Sequence, residues 1–133
     1  MKKILGWHFC NGWKLRDGQS LVVGKTYVYT GPLVVCESGL HASKRLIDAL
    51  QYSPGNILCR VECSGEMIEQ DDKLVCRKRK VLWAYDAQKM LRLFGCEVAL
   101  NSCLAYDVTD ERSYAAIDAT LLYEDGYIMS AAR

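Results

Sequence analysis

The stretch that decides the fold is Ile57-Leu58-Cys59-Arg60-Val61-Glu62-Cys63-Ser64. Apolar residues take every second position from Ile57 to Cys63, and Arg60, Glu62 and Ser64 lie among the alternate positions. Because successive side chains of a strand point to opposite faces, this period of two predicts a strand with one face in a core.

The residues on both sides of this segment predict further strands. Asp17-Gly18 is typical of a two-residue type I′ turn, which requires positive φ angles, and it predicts a hairpin. Gly24-Lys25 predicts a second turn, and Leu33 to Cys36 is a third apolar run. The predicted strands are Ile4 to Phe9, Trp13 to Arg16, Gln19 to Val23, Thr26 to Tyr29, Lys73 to Cys76 and Lys80 to Trp83.

Helices are predicted once in the middle of the chain and twice at its end. Ser43 is a good N-cap, and it predicts a helix over residues 44–52 that ends before Pro54. Asp86 is a candidate N-cap for a second helix, and a third should run from about Asp110 to Glu124 and stop at Gly126. The expected apolar stripes are Leu46, Ile47 and Leu50; Ala87, Met90, Leu91, Phe94 and Val98; and Tyr114, Ile117 and Leu121.

The order of these elements predicts an α+β fold. We expect an antiparallel or mixed β-sheet in the first two thirds, with one short helix, packed by two C-terminal helices. The 133 residues suit a single domain, with residues 1–85 mainly strands and residues 86–133 helical.

Composition narrows the class of protein. Seventeen Lys and Arg oppose sixteen Asp and Glu, so no global charge draws the chain to nucleic acid or to an anionic membrane. No apolar run is long enough for a signal peptide or a membrane span. With seven cysteines and no secretion signal, we expect buried free thiols and the cytoplasm of a bacterial host cell. Monomer and homodimer both stay open.

The two histidines are the first candidates for chemistry. His8 and His41 lie near glycines, and imidazole titrates near neutrality, so either could act as a general acid or base. The alternative is that each satisfies a buried backbone group. Gly39 permits close approach, and Ser43 would place His41 at a helix entrance where an anion could be held.

Two other patterns carry weaker chemistry. Neither C-x-x-C nor H-x-x-x-H occurs, so we expect no metal site. The run Arg77-Lys78-Arg79-Lys80 could contact phosphates, and through it nucleic acid or a nucleoprotein; alternatively it is a solvated edge strand.

The chain resembles an uncharacterised family of phage and prophage proteins. The likeness covers roughly residues 4 to 100 and implies a phage or prophage setting, in which small accessory proteins often disarm host defences such as CRISPR systems. The residues that carry it are Gly6 to Phe9, Cys36-Glu37-Ser38-Gly39-Leu40-His41-Ala42-Ser43, Asp48 to Tyr52, Cys59 to Val61, Gly65-Glu66 and Asp71 to Lys73.

A second resemblance is to ADP-ribosyltransferase catalytic domains of the poly-ADP-ribose polymerase type. It implies NAD as cofactor, His8 on the nicotinamide ribose, and His41 as the stacking residue that is tyrosine in that family. Lys78-Arg79-Lys80 stands where the family has its glutamate, so Glu66 or Glu69 would have to substitute from a different place. The residues that carry the likeness are Gly6 to His8, Gly39 to Ser43, Ala49 to Tyr52, Leu58 to Val61, Gly65 and Val81 to Asp86.

Two classes of function follow. The first is a phage-type accessory protein, without cofactor, that binds a host macromolecule, foremost a host protein, and inhibits a defence as anti-CRISPR proteins do. Its expected binding residues are Gly39, His41, Ser43, Lys78, Arg79 and Lys80. The second is an NAD-dependent transferase with His8, His41 and Glu66 as catalytic residues, or an inactive relative of that fold. A transferase needs a cleft on which those three converge, whereas a binder needs an exposed patch.

Overall fold

A computed structural model describes residues 2–124 and confirms the α+β fold class. Contacts divide the chain into two compact units, a sheet unit that ends at Asp86 and a helical unit that begins at Ala87. The single-domain expectation stays a prediction beside this division.

The sheet unit is built on one long antiparallel hairpin. Strands β4 (Ile57–Glu69) and β5 (Leu74–Asp86) pair along their whole length, with bulges after Arg60 and after Ser64. The predicted strand at Ile57 is therefore confirmed and longer than expected, and the two strands predicted after Lys73 are one continuous strand.

Three shorter strands complete the antiparallel sheet within residues 2–124. Strand β1 (Lys3–Cys10) pairs β4, while β2 (Thr26–Val28) and β3 (Leu40–Ala42) lie one after the other along the free edge of β5. A single bridge between Trp7 and Ser43, with backbone hydrogen bonds of 2.7 and 2.9 Å, links the end of β3 to the outer edge of β1.

The sheet has an inner and an outer face. Directly opposed residues of antiparallel strands share a face, so the register assigns Cys59, Val61 and Cys63 to the inner face with His8 and Arg79. The segment between β1 and β4 covers this inner face, and Leu15, Leu21, Tyr27 and Ala42 join the buried core there. The outer face carries Trp7, Arg60, Trp83, Lys78 and Lys80.

The predicted hairpin around Asp17-Gly18 is reduced to a loop with one isolated bridge, between Lys14 and Ser20. The Leu15 N–H donates to the Gln19 carbonyl, so three residues rather than two form the turn. Of these only Gly18 has a positive φ, of 89°, which makes the predicted type I′ turn wrong. The Asp17 carboxylate accepts the Gln19 N–H at 3.1 Å, which holds Asp17 in ordinary backbone geometry.

The middle helix is shorter than predicted, and its cap differs. Helix α1 covers Leu46–Leu50, and Arg45, with no side-chain capping bond, is its N-cap. Ser43 is not the cap, because its backbone is paired with Trp7 and the residue is buried. His41 consequently lies in strand β3 and not at a helix entrance, which corrects the geometry expected for it.

The helical unit contains α2 (Gln88–Ala105) and α3 (Glu111–Glu124), which pack against each other. Both predicted helices are confirmed, although Ala87 and not Asp86 is the N-cap of α2. Cys96 and Ile117 are buried, whereas Met90, Phe94 and Val98 of the predicted stripe are exposed. The expected stop at Gly126 lies outside the described residues. Among those residues, neither helix has the length and hydropathy needed to cross a membrane.

Candidate functional site

A cleft of about 990 Å³ opens over the inner face of the sheet unit. Its lining comes from the end of β1 with the loop after it, and from the segment that leads into β3. Arg79, on strand β5, also lines the cleft. The cleft is lined by Trp7–Asn11, Lys14–Gly18, Tyr29, Cys36–Ser43, Ala49, Tyr52, Pro54, Lys73 and Arg79.

Arg79 is the most unusual residue of the cleft. Strand β5 directs it to the inner face opposite Cys63, and only 4% of its surface is exposed. Its Nη1 donates to the His41 carbonyl at 2.6 Å, whereas its buried Nε has no hydrogen-bond partner. Within residues 2–124 no carboxylate forms an ion pair with it. Burying a charge is costly unless an opposite charge pairs with it. The Arg79 guanidinium is therefore a buried cation that lacks a counter-charge among residues 2–124.

His41 is held by the backbone around it. Its Nε2 accepts the Cys36 N–H at 2.9 Å, and the Gly39 carbonyl accepts from the ring. Both ring nitrogens are therefore engaged within one turn, and an imidazole that accepts at Nε2 is neutral. Burial, then the positive charges of Arg79 and Arg16, lower the pKa of His41. This geometry favours the structural alternative for His41, a strut that shapes the cleft wall.

His8 has the opposite character. It is half-buried in the cleft wall on β1, and its ring makes no hydrogen bond to another described residue. Burial, then Arg79 and then His41, hold the pKa of His8 well below its usual range. A neutral imidazole offers one donor and one acceptor, so His8 and Arg79 together present unused hydrogen-bonding groups to the cleft.

Gly39 and Ser43 act through the backbone. Gly39 has a φ of +113°, and a Cβ there would collide with Val75 and Leu33, so no other residue fits without a shift. Ser43 is buried and joined to Trp7. The two residues fix the path of the segment that carries His41.

The basic run is divided between the two faces of β5. Arg77 donates to the carbonyls of Tyr29, at 2.9 Å, and Gly31, and it pairs with Glu66. Lys78 and Lys80 are exposed on the outer face, and Arg79 is buried on the inner one. The expectation of one solvated patch is therefore wrong for Arg79. The sequence signal that could have predicted this division is the strand period of two, because successive side chains point to opposite faces.

Glu66 lies away from the histidines. Its side chain is 64% exposed and ion-paired with Arg77, and it is not among the residues that line the cleft. The structure thus brings His8 and His41 together, and adds Arg79, but does not add Glu66.

Charged residues at the rim were missed from the sequence. Lys14, Arg16 and Lys73 line the cleft with Arg79, against two acidic residues, Asp17 and Glu37, so cations exceed anions by four to two. Lys73 donates to the Cys36 thiol, and this contact raises the pKa of Lys73. Lys14 and Arg16 come from one loop and Lys73 from another, and no local motif connects the two loops.

Comparison with protein families assigns the chain to one family. A family model described as "Domain of unknown function (DUF7666)" matches residues 4–93. The chain belongs to this family. The match spans β1 to β5 and the first turn of α2, and so includes the whole cleft. Neither a curated protein nor a solved structure matches the chain.

Proposed function

We propose that this DUF7666 domain binds an anionic ligand in the cleft and recognises its carboxylate or phosphate group through Arg79. The observation that carries the proposal is the buried guanidinium with a free Nε and no counter-charge among residues 2–124. A ligand anion would supply that counter-charge, and arginine offers the planar donor geometry that suits both groups.

The rest of the cleft supports an anion of moderate size. The excess of cations at the rim attracts negative charge. A cleft of about 990 Å³ is at the upper end of ordinary small-molecule sites, and its lining includes the aromatic residues Tyr29 and Tyr52. His8 adds a neutral donor and acceptor beside the charge. The ligand should therefore combine an anionic group with an apolar or aromatic part.

If the chain is a phage-type accessory protein, as its sequence suggests, the host macromolecule that it binds would supply the anionic group. An acidic side chain or a phosphate group of a host macromolecule has the required chemistry. A pull-down from bacterial lysate compares the wild-type protein with Arg79→Met, and a captured host partner should be lost with Arg79.

The deciding experiment is a thermal-shift titration with inorganic phosphate, acetate and adenosine monophosphate. A ligand at about 100 times its Kd adds ~2.7 kcal/mol to the free energy of unfolding, which raises Tm by several degrees. We expect a shift for the wild-type protein and none for Arg79→Met. Arg79→Met removes an uncompensated buried charge but also leaves the His41 carbonyl without its donor, so each ligand shift is measured against the variant's own Tm.

The matched control is Lys78→Met, which removes the neighbouring positive charge from the outer face and should keep the full ligand shift. Equal shifts for Arg79→Met and the wild-type protein would contradict the proposal, as would a wild-type protein that responds to none of the three anions.

NAD-dependent transfer is the second candidate, and the observation in its favour is that His8 and His41 line one cleft. Its weakness is that Glu66, the expected catalytic carboxylate, is ion-paired with Arg77 and does not line the cleft. We propose that NAD, if it enters, is held by its pyrophosphate and is not cleaved. NAD should be included in the same titration. Release of nicotinamide from NAD would support the transferase function instead.

A further inference from the structure

The outer face of the sheet carries an aromatic cluster crossed by an arginine. The register sets Trp7 opposite Arg60, and Arg60 opposite Trp83. The Arg60 guanidinium stacks 4.2 Å from the centre of the Trp7 ring, and the two indole rings meet edge to face at 5.8 Å. Trp83 is 43% exposed and Tyr85, two residues further along β5, is 53% exposed.

Cations continue this face beyond the aromatic rings. Lys80 and Lys78 follow Trp83 along β5 in the other direction, and both are exposed. The face has one acidic residue within the paired region, Glu62, and Lys3 lies 3.5 Å from it on the same face. At the other end of the face Phe9 and Leu58 are buried. The exposed part therefore combines aromatic planes with an excess of positive charge.

We propose that this outer face binds single-stranded nucleic acid, with bases stacked on Trp83, Tyr85 and the Arg60 plane and phosphates held by Lys78 and Lys80. Unpaired bases stack on exposed aromatic side chains and on guanidinium planes, while lysines contact the backbone. An open antiparallel sheet offers such a platform because alternate residues of neighbouring strands come into line.

Charge decides between nucleic acid and an apolar protein partner. A surface for an apolar partner is depleted of lysine at its centre, whereas this face has lysines next to its aromatic residues. A duplex would keep its bases stacked inside, out of reach of Trp83. The proposed contact residues Trp83, Tyr85, Lys78 and Lys80 do not line the cleft, and Arg79 belongs to the opposite face.

The test is fluorescence anisotropy with labelled oligothymidylate and oligouridylate of about 12 nucleotides, at low salt. We expect binding of both, with much weaker binding of the corresponding duplex. Trp83→Ala should lower the affinity by about 5-fold or more, the loss of one stacked base. The double variant Lys78→Ser/Lys80→Ser should flatten the slope of log K against log salt by about 1.4, the value for two phosphate contacts on a single strand.

Two controls make the result specific. Lys25→Ser/Lys44→Ser removes the same charge from exposed positions that belong neither to this face nor to the cleft lining, and should leave the affinity nearly unchanged. Circular dichroism melts show whether Trp83→Ala folds, and the lysine pair, which is exposed, provides a second arm. Absence of binding, equal affinity for duplex, or equal loss in the control variant would overturn the proposal.

Discussion

Arg79 influences the chemistry of most of the groups on the inner face. Its positive charge acts on both histidines and on Cys10, Cys59, Cys63 and Cys76. Those neighbours are thiols and neutral rings, which solvate a cation less well than carboxylates do. Arg79 therefore adds to the electropositive character of the cleft and, after burial, to the lowering of the pKa of both histidines.

The histidines make stability depend on pH in a defined direction. Both have folded-state pKa values below the usual 6.5, so the unfolded chain takes up protons more readily. Their contribution to stability is complete above about pH 6.5 and is lost as pH falls through the folded pKa values. We expect the free energy of unfolding in urea to decrease between about pH 7 and pH 5.

Glu69 titrates well below this pH window. The pKa of Glu69 is lowered to about 2 by Lys2 and Lys44, so the stability that it contributes is lost only in stronger acid. The variant His8→Gln/His41→Gln should flatten the profile between pH 7 and pH 5. A profile as steep as that of the wild-type protein would assign the effect to other groups.

Within the single strand β5, adjacent cationic residues have different environments and different roles. Arg77 holds the segment after β2 in place by donating hydrogen bonds to two of its carbonyls. Arg79 is buried on the inner face, whereas Lys78 and Lys80 are exposed on the outer face. Four like residues in sequence thus form a clamp, a buried cation and an exposed pair.

Variants of this run test the division. Arg77→Ser leaves the carbonyls of Tyr29 and Gly31 without their donor, and should lower the free energy of unfolding by about 1–3 kcal/mol. Lys78→Ser is the matched control and should change it by less than about 0.5 kcal/mol, as exposed substitutions do. Urea unfolding measures both. Equal effects would mean that the run behaves as one solvated patch.

Sequence patterns predicted the elements whose signal is local. The alternation from Ile57 to Cys63 and the apolar periods of α2 and α3 are properties of single segments, and these elements were found. Strand β3 was missed because its three residues become a strand only by pairing with Leu74 to Cys76, more than 30 positions away. A capping serine and a bridged serine look alike in sequence, which explains the misplaced helix start at Ser43.

The candidate site was predicted in part for the same reason. His8 and His41 stand out because they are the two histidines of the chain. Lys14 and Lys73 reach the cleft from separate loops, and no spacing rule connects them. Arg79 was identified as part of a run, but its burial follows from the register of β5 with β4, which the sequence pattern did not establish.

Over the whole molecule, the cysteines separate by access. Cys10, Cys59, Cys63, Cys76 and Cys96 are buried, Cys103 is intermediate, and Cys36 is exposed. The burial expected from the sequence is confirmed for these five. The hydrogen bond with Cys10 and then burial raise the pKa of Cys59, and Cys76 and burial do the same for Cys63. A raised thiol pKa slows attack because the thiolate is the reactive form.

A thiol titration with Ellman's reagent distinguishes these classes. In the native protein we expect Cys36 to react first, Cys103 next and the five buried thiols slowly, and in denaturant all seven to react. Cys36→Ser should remove the fast phase. A fast phase that persists in that variant, or fewer than seven reactive thiols in unreduced, unfolded protein, would contradict this assignment.

The pairing of β4 with β5 also sets an order of assembly. Only residues 70–73 separate these two strands, whereas β1 must find β4 across more than 40 residues and β3 must find β5 across about 30. Closing a short loop costs less entropy than closing a long one, and hairpins form within microseconds. Folding of the sheet unit should therefore start in the middle of the chain. The cleft, whose walls come from the segments that join last, would be completed only at the end.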